Sequence, residues 1–428
     1  MINVAEVDQK GLCLECGTCA GVCPHNNINL APDSSGRFRI IINSQSTCVK
    51  CSSVCLKVCP GHEVNMDSLN LQVFGKLPEN YWAGNCLQTF LGSCLDPEIL
   101  TSAASGGIVS GLLAYALSEG LINGVYLLTP GWGKPFTMET VLAVSVDQVK
   151  ASAGSYYWPA PVGQRLRDIL RSEGKFAFVG LPCEIQALRK AQSVFPRLNE
   201  RIAFSFGLFC GGRTTVQGQL FAMKRYGVDT SRIAKIEYRH SDWPGHLKVT
   251  MEDCSEVHVP KSKQLQGYAS QLICHPRCLY CHDSLADLAD ISTGDALRLE
   301  DFRQPHEKSI VIARTNKGLV LLEEASKAGV LNLREVEVSK VIHSQHRPLI
   351  HKKQALWSRL KVARFLRRQV PAIQLTRPEN QVSNIGDLVT AGKAVLLSML
   401  TNKLIFRKLL NHVPMSLLVK HSFFSRYS

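Results

Sequence analysis

The chain has 428 residues, of which 45% are hydrophobic and 20% charged, and a formal net charge of +14. That length and balance exclude an intrinsically disordered protein and allow two or three domains, each with its own core. From Lys340 onward there are 16 Lys/Arg and 2 acidic residues, so the excess charge belongs to the C-terminal end and the rest is near neutral.

The opening "MINVAEVDQKGLCLEC" has neither a basic nor a long apolar segment and does not read as a secretory signal. The 16 cysteines are therefore expected as metal ligands rather than disulfides, and the protein as cytoplasmic. The first run places Cys13, Cys16, Cys19 and Cys23 before Pro24, the C-x-x-C-x-x-C-x-x-x-C-P spacing of bacterial ferredoxins. The second, Cys48, Cys51, Cys55 and Cys59 before Pro60, carries one extra residue between its second and third cysteines. Three thiolates on a tight loop cap three irons of a 4Fe–4S cube, and the fourth iron takes its ligand from the other run. The spacing thus predicts one cluster on Cys13, Cys16, Cys19 and Cys59 and another on Cys48, Cys51, Cys55 and Cys23. Zinc is the alternative, but four-cysteine zinc sites favour two separated C-x-x-C pairs. Gly17, Thr18, Ala20 and Gly21 are small enough to let backbone N–H groups approach the sulfurs. His25 and His62 read as surface or supporting residues. The first module spans 1–75.

A Gly/Pro-containing stretch, "VFGKLPENYWAGN" at 73–85, separates this module from the next. The pattern at 101–128 predicts a Ser/Gly turn, a helix over 107–119 and a strand near 124–128. Ser102, Ser105, Gly106 and Gly107 open that helix, where backbone N–H groups and the helix dipole favour a phosphate; an ordinary Ser-capped helix is the plainer reading. A Ser/Gly/aromatic loop at 151–160 leads into a basic helix, then strand "KFAFVG" and helix "LPCEIQALRK", which sets Cys183 at a helix N-terminus. Strand "RIAFSFGLFCGG" ends in Cys210. Strands alternating with helices predict an α/β sheet with ligands at strand C-terminal ends. Lys175, Arg189 and Lys190 read as solvated surface, with an anionic substrate tail as the alternative. Cys86, Cys94 and Cys254 read as buried or incidental.

Cys274, Cys278 and Cys281 again have metal-ligand spacing, and Cys183 and Cys210 are the natural suppliers of further thiolates. A third 4Fe–4S cluster is expected, with a redox-active or zinc-binding C-x-x-C as the alternative. If both strand-end cysteines contribute, Cys274 is spare. Asp283, Asp287, Asp290 and Asp295 either lower that cluster's potential or cap turns. "AVLLSMLTNKLIF" at 394–406 is too short to span a membrane.

"SGG" before a helix, "GLPCEIQALRK", "GLFCGG", "YRHSDWPGHLKV" and "CLYCHDSLADLADISTGD" together resemble the coenzyme F420 hydrogenase/dehydrogenase beta-subunit family over about 85–345. The resemblance implies bound FAD, a 4Fe–4S cluster in the catalytic domain and electron exchange with a redox partner protein or a small organic substrate. It implies that Ser105, Gly106, Gly107, Ser155 and Tyr156 hold the flavin, and Cys183, Cys210, Cys278 and Cys281 the third cluster. The family includes deazaflavin oxidoreductases, a chlorophyll reductase and proteins accompanying polysaccharide biosynthesis. The expected function is an iron–sulfur flavoprotein oxidoreductase; the alternatives are a non-catalytic relay subunit and a reductase in polysaccharide biosynthesis. The expected fold is a bacterial ferredoxin-like domain (α+β), then an α/β flavin-binding domain, then a basic helical region over 346–428. That last region is expected to pack on the body rather than bind nucleic acid, with peripheral membrane contact as a further expectation.

Overall fold

The computed structural model describes residues 3–49, 51–131, 134–241, 245–260, 274–299, 308–378 and 385–401. In the N-terminal module, strands β1 (Ile28–Pro32) and β2 (Phe38–Ile42) form an antiparallel hairpin with Ile28 opposite Ile42. Its turn is fixed by Asp33, whose carboxylate accepts from the N–H of Ser35 at 2.8 Å. One-turn helices Thr18–Gly21 and Val54–Lys57 carry Cys19 and Cys55. Strand β3 (Glu63–Asn65) leads into helix Met66–Phe74, capped by the Asn65 side chain and closed by Gly75 in the left-handed region.

The body is built on strands β4 (Gln88–Cys94), β5 (Gly124–Gly131), β6 (Lys134–Ala143), β7 (Phe176–Gly180) and β8 (Ile202–Leu208). Then come β9 (Ile233–His240), β10 (His246–Met251) and β11 (Glu256–Pro260), followed by β12 (Ile291–Asp295), β13 (Ser309–Ala313) and β14 (Leu331–Glu335). Among the described residues eight strands make one sheet in the order β14-β4-β13-β12-β8-β7-β5-β6. Its centre, β12-β8-β7-β5, is parallel, and the outer pairings are antiparallel. The expected α/β centre is present inside a mixed sheet. Strands β9, β10 and β11 form a separate antiparallel sheet.

Alternation along β7 sends Ala177 to one core and Phe176 and Phe178 to the other. Helices Ile108–Ser118 and Asn316–Lys327 cover the first face. Helix Pro182–Val194 covers the second, together with Val22, Val58, Val64, Met66 and Leu69 of the N-terminal module. The cysteine-rich module therefore shares a core with the body across the 73–85 boundary.

Residues 346–378 do not hang off the body. Strand β15 (Ala372–Gln374) pairs in parallel with β3. Lys352, Lys353 and Arg359 are buried. Composition registers such residues as surface charge because it carries no information about their partners. Lys353 meets Asp287 at 2.6 Å, and Arg359 donates to the carbonyls of Leu279 and His351 at 2.7 and 2.6 Å. The expectation for 402–428 lies outside the described residues.

Candidate metal centres and flavin site

In the first run, burial pushes the Cys16 thiol up to about 11, with Cys59 adding to the effect. Cys13 is raised by burial and by Cys59, and Cys19 by burial and by Cys16, Cys13 and Cys59. Cys13, Cys16, Cys19 and Cys59 thus form one neighbourhood. Cys55, pushed up to about 11 by burial, has Cys51 and Cys48 as its sulfur neighbours. Asn27 joins Cys23 to that second group: its backbone N–H donates to Cys23 Sγ at 3.3 Å and its side-chain amide to Cys48 Sγ at 3.2 Å. Cys59 thus lies with the first run and Cys23 with the second. Cys55 lies close enough to Cys19 to raise it, so the two groups are contiguous.

Cys183 opens helix Pro182–Val194 just beyond β7, and Cys210 lies just beyond β8. The segment from Cys281 to Asp290 then crosses the face of β8 before β12 begins. Gly207 makes the crossing possible, because a Cβ there would stand 2.3 Å from that of Ala286. Burial raises Cys183, and Cys281, Cys210 and Cys16 are its sulfur neighbours. Burial pushes Cys210 up to about 11, with Cys278 and Cys281 adding to it. Cys274 hydrogen-bonds to Cys278 and also neighbours Cys210. Five cysteines therefore converge, and the neighbourhood of Cys183 with Cys16 makes this third group contiguous with the first. Among the described residues no three His, Cys, Asp or Glu side chains have the arrangement of a single metal-ion site.

Several residues that sequence reasoning passed over or, like Lys190, read as surface supply the charge around these sulfurs. Lys352 Nζ lies 3.4 Å from Cys281 Sγ and donates to the carbonyl of Asp283 at 2.8 Å. Arg277 donates to the carbonyls of Tyr280 at 2.9 Å and Pro60 at 3.1 Å, and its four strongest negative neighbours are Cys281, Cys278, Cys183 and Cys59. Lys190 donates to the carbonyls of Glu63 at 2.6 Å and Cys59 at 3.4 Å. Glu15 is buried within 2.8 Å of His275, 3.2 Å of Arg213 and 3.4 Å of Arg37. Burial alone would raise its carboxyl, but Arg213, His275 and Arg37 together hold it down at about 2. Glu15 stands inside the first cysteine run and His275 and Arg277 inside the third, whereas Lys352, Arg213 and Arg37 carry no sequence signal.

Two readings are corrected. Arg189 and Lys190 are buried rather than solvated; Arg189 lies 3.3 Å from Asp290 and donates to the carbonyl of Leu288. A helix that seals a sheet turns even charged side chains inward where carbonyls and carboxylates await them. Lys175 is exposed. The aspartate run neither simply caps turns nor stands as bare charge: Asp287 pairs with Lys353, Asp290 with Arg189 and Asp295 with Arg239, while Asp283 accepts from Gln186 and two backbone N–H groups. Cys94 is buried, Cys86 half-buried and Cys254 exposed; His25 is exposed and His62 half-buried.

At the other candidate site, Ser105 donates to the carbonyl of Lys308 at 2.6 Å and accepts from Ser309 at 2.9 Å. The N–H of Gly106 donates to Ser309 Oγ at 2.8 Å. These two residues fix the turn to β13 rather than presenting free donors. Gly107, at φ +66°, caps helix Ile108–Ser118 with no side-chain hydrogen bond. Ser155 and Tyr156 are half-buried. Gly154 brings their loop beside the first: a Cβ there would lie 3.5 Å from the Ser102 carbonyl.

Sequence comparison matches residues 89–167 and 173–339 to the N-terminal and C-terminal parts of the coenzyme F420 hydrogenase/dehydrogenase beta subunit, and 12–62 to a 4Fe–4S dicluster domain. The coenzyme F420 hydrogenase subunit beta of Methanothermobacter thermautotrophicus is 32% identical over 57% of this chain and 83% of its own length. The coenzyme F420-dependent sulfite reductase of Methanocaldococcus jannaschii is 26% identical over 78% of this chain, which spans 49% of that protein. A chain of the F420-reducing [NiFe] hydrogenase complex from Methanosarcina barkeri superposes with a TM-score of 0.54 at 25% identity, covering 67% of this chain and 96% of that one.

Proposed function

Because the chain belongs to the coenzyme F420 hydrogenase/dehydrogenase beta-subunit family, we propose that it is an iron–sulfur flavoprotein oxidoreductase subunit carrying three 4Fe–4S clusters and FAD. It exchanges electrons between a deazaflavin-type or other small organic substrate and a redox partner protein. The observation that carries this reading is the contiguity of the sulfur groups. Cys183 neighbours Cys16, and Cys19 neighbours Cys55, so each sulfur group has the next as its neighbour, from the β7–β8 strand ends to Cys48, Cys51 and Cys23.

The donor sets fit iron–sulfur clusters. Lys352 and Arg277 are nearly fully buried, and their nearest negative groups are sulfurs. A buried cation beside neutral thiols costs several kcal/mol; beside metal-bound thiolates it is balanced. Thiolates set around a multi-iron cube stand further apart than ligands of one ion, in keeping with the absence of a single-ion arrangement among the described residues. Cys183, Cys210, Cys278 and Cys281 are the third ligand set, with Cys274 hydrogen-bonded beside them.

For FAD the fit rests on helix Ile108–Ser118, whose first turn has no side-chain cap and would be satisfied by a phosphate; Gly107, Ser155 and Tyr156 are the residues that would hold it. FAD supplies conversion between electron pairs and single electrons, which iron–sulfur cubes lack. Ser105 and Gly106 position the turn. That both are engaged within the protein favours, as a second reading, a flavin-free relay subunit.

Among the described residues no helix is long and apolar enough to cross a membrane. Peripheral contact of the basic C-terminal region with an anionic membrane rests on Phe365, 86% exposed, among exposed Arg364, Arg367 and Arg368; failure to sediment with anionic vesicles removes it.

The test is anaerobic purification followed by iron, sulfide and flavin analysis, then reduction by candidate donors while the flavin band is watched. About one FAD per chain that bleaches with reduced deazaflavin supports the proposal. Iron and sulfide without flavin support the relay, and colourless or zinc-loaded protein overturns both.

A further inference from the structure

Arg277 sits where two of the proposed centres meet, and nothing in the sequence motif asks for a guanidinium there. It is 3% exposed. One end of its planar fork donates to the carbonyl of Tyr280, which lies between Cys278 and Cys281; the other donates to the carbonyl of Pro60, next to Cys59. Its Nε has no hydrogen-bond partner. The fork thus joins the Cys278–Cys281 loop to the loop that follows Cys59. Lys190, by contrast, reaches only the Cys59 side, through the carbonyls of Cys59 and Glu63. Lys352 reaches only the other, through Cys281 and the Asp283 carbonyl.

We propose that Arg277 is a positioning residue that acts as one counter-charge shared by the Cys13/Cys16/Cys19/Cys59 set and the Cys183/Cys210/Cys278/Cys281 set. The inference rests on the three-cluster reading above. A fixed positive charge favours the more negative, reduced state of any centre beside it, so Arg277 raises the reduction potential of both. Transfer between the two sets moves one electron, with no bond made and no proton taken up. With both centres bound, the electron would leave one neighbour of the guanidinium and arrive at another, so Arg277 would stabilise the charge throughout. Arginine suits the place because its rigid fork holds two carbonyls at once while its charge is delocalised and weakly hydrated. A lysine is a point charge and cannot span both loops in the same way.

The test uses the full-length chain, purified anaerobically, with iron and sulfide measured first. Iron-free wild-type protein overturns the cluster reading itself. With loaded protein, redox titration followed by electron paramagnetic resonance compares wild type with Arg277→Gln, Arg277→Lys and Lys190→Met. The expected result is that Arg277→Gln lowers the midpoint potentials of two centres while the third stays put, and that Lys190→Met lowers one. In Arg277→Lys one of the two recovers and the other stays low, and if Arg277→Gln fails to load, Arg277→Met is titrated in its place with the same expected result. Unmoved potentials in a loaded Arg277 variant, or a shift of one centre alone in Arg277→Gln, overturn the proposal and leave the cluster reading intact.

Discussion

The backbone N–H of Gly163 donates to the carbonyl of Cys16 at 2.8 Å, which stitches the first cysteine loop to a turn of the body. There is no room for a side chain at the seam. A Cβ on Gly163 would stand 2.3 Å from Thr18 Oγ1, and one on Gly21 would stand 2.1 Å from the Gly163 carbonyl. Gly163→Ala is expected to destabilise the protein by about 1–3 kcal/mol, as overpacking does. A thermal melt lowered by several degrees, with iron lost earlier than in wild type, is the outcome; an unchanged melt contradicts it.

The proposed crossed ligation assigns Cys23 to the other run's centre. Cys23→Ser is expected to alter the paramagnetic signal of the centre held by Cys48, Cys51 and Cys55, and Cys59→Ser that of the centre held by Cys13, Cys16 and Cys19. The Asn27 bridge between Cys23 and Cys48 is the structural ground for this. If Cys23→Ser instead removes the same signal as Cys13→Ser, the assignment is wrong.

Lys352 comes from beyond the body's last sheet strand yet touches Cys281 at 3.4 Å. Lys352→Met leaves the third sulfur set without that cation. The expected outcome is a chain that keeps the two N-terminal centres and loses about a third of its iron, or holds it at a lower potential. Full iron content with unmoved potentials contradicts it.

Arg189 and Asp290 form a buried pair 3.3 Å apart. Burial alone would raise the Asp290 carboxyl, but Arg189, Lys317 and Ser205 together hold it below the ordinary carboxylate value. A carboxyl lowered in the folded state contributes stability at pH above its unfolded value, near 4, and loses it as pH falls through the folded value. Arg189→Met is therefore expected to cost about 3–5 kcal/mol at neutral pH, with the acid limb of its stability profile starting at higher pH. Denaturant melts of wild type and variant between about pH 3 and 7 measure both effects; identical profiles refute them.

The cysteine spacing leads to the expectation of two N-terminal sulfur groups that exchange a ligand, because the geometry of a cube constrains a short loop whatever surrounds it. The strand–helix alternation likewise placed Cys183 and Cys210 at strand ends, since β7 and β8 obey local hydrophobic patterning. Charge was the poorest guide. Lys190, Lys352 and Arg277 carry the same formal charge as any surface residue, and only the packing of distant segments brings them against sulfurs and carbonyls. The same holds for Gly21, a small residue beside a cluster in the sequence and a contact with Gly163 in the fold. Ligand spacing is a local property that the chain writes directly. Counter-charge and close approach are long-range properties that exist only once residues far apart in the chain share one interior.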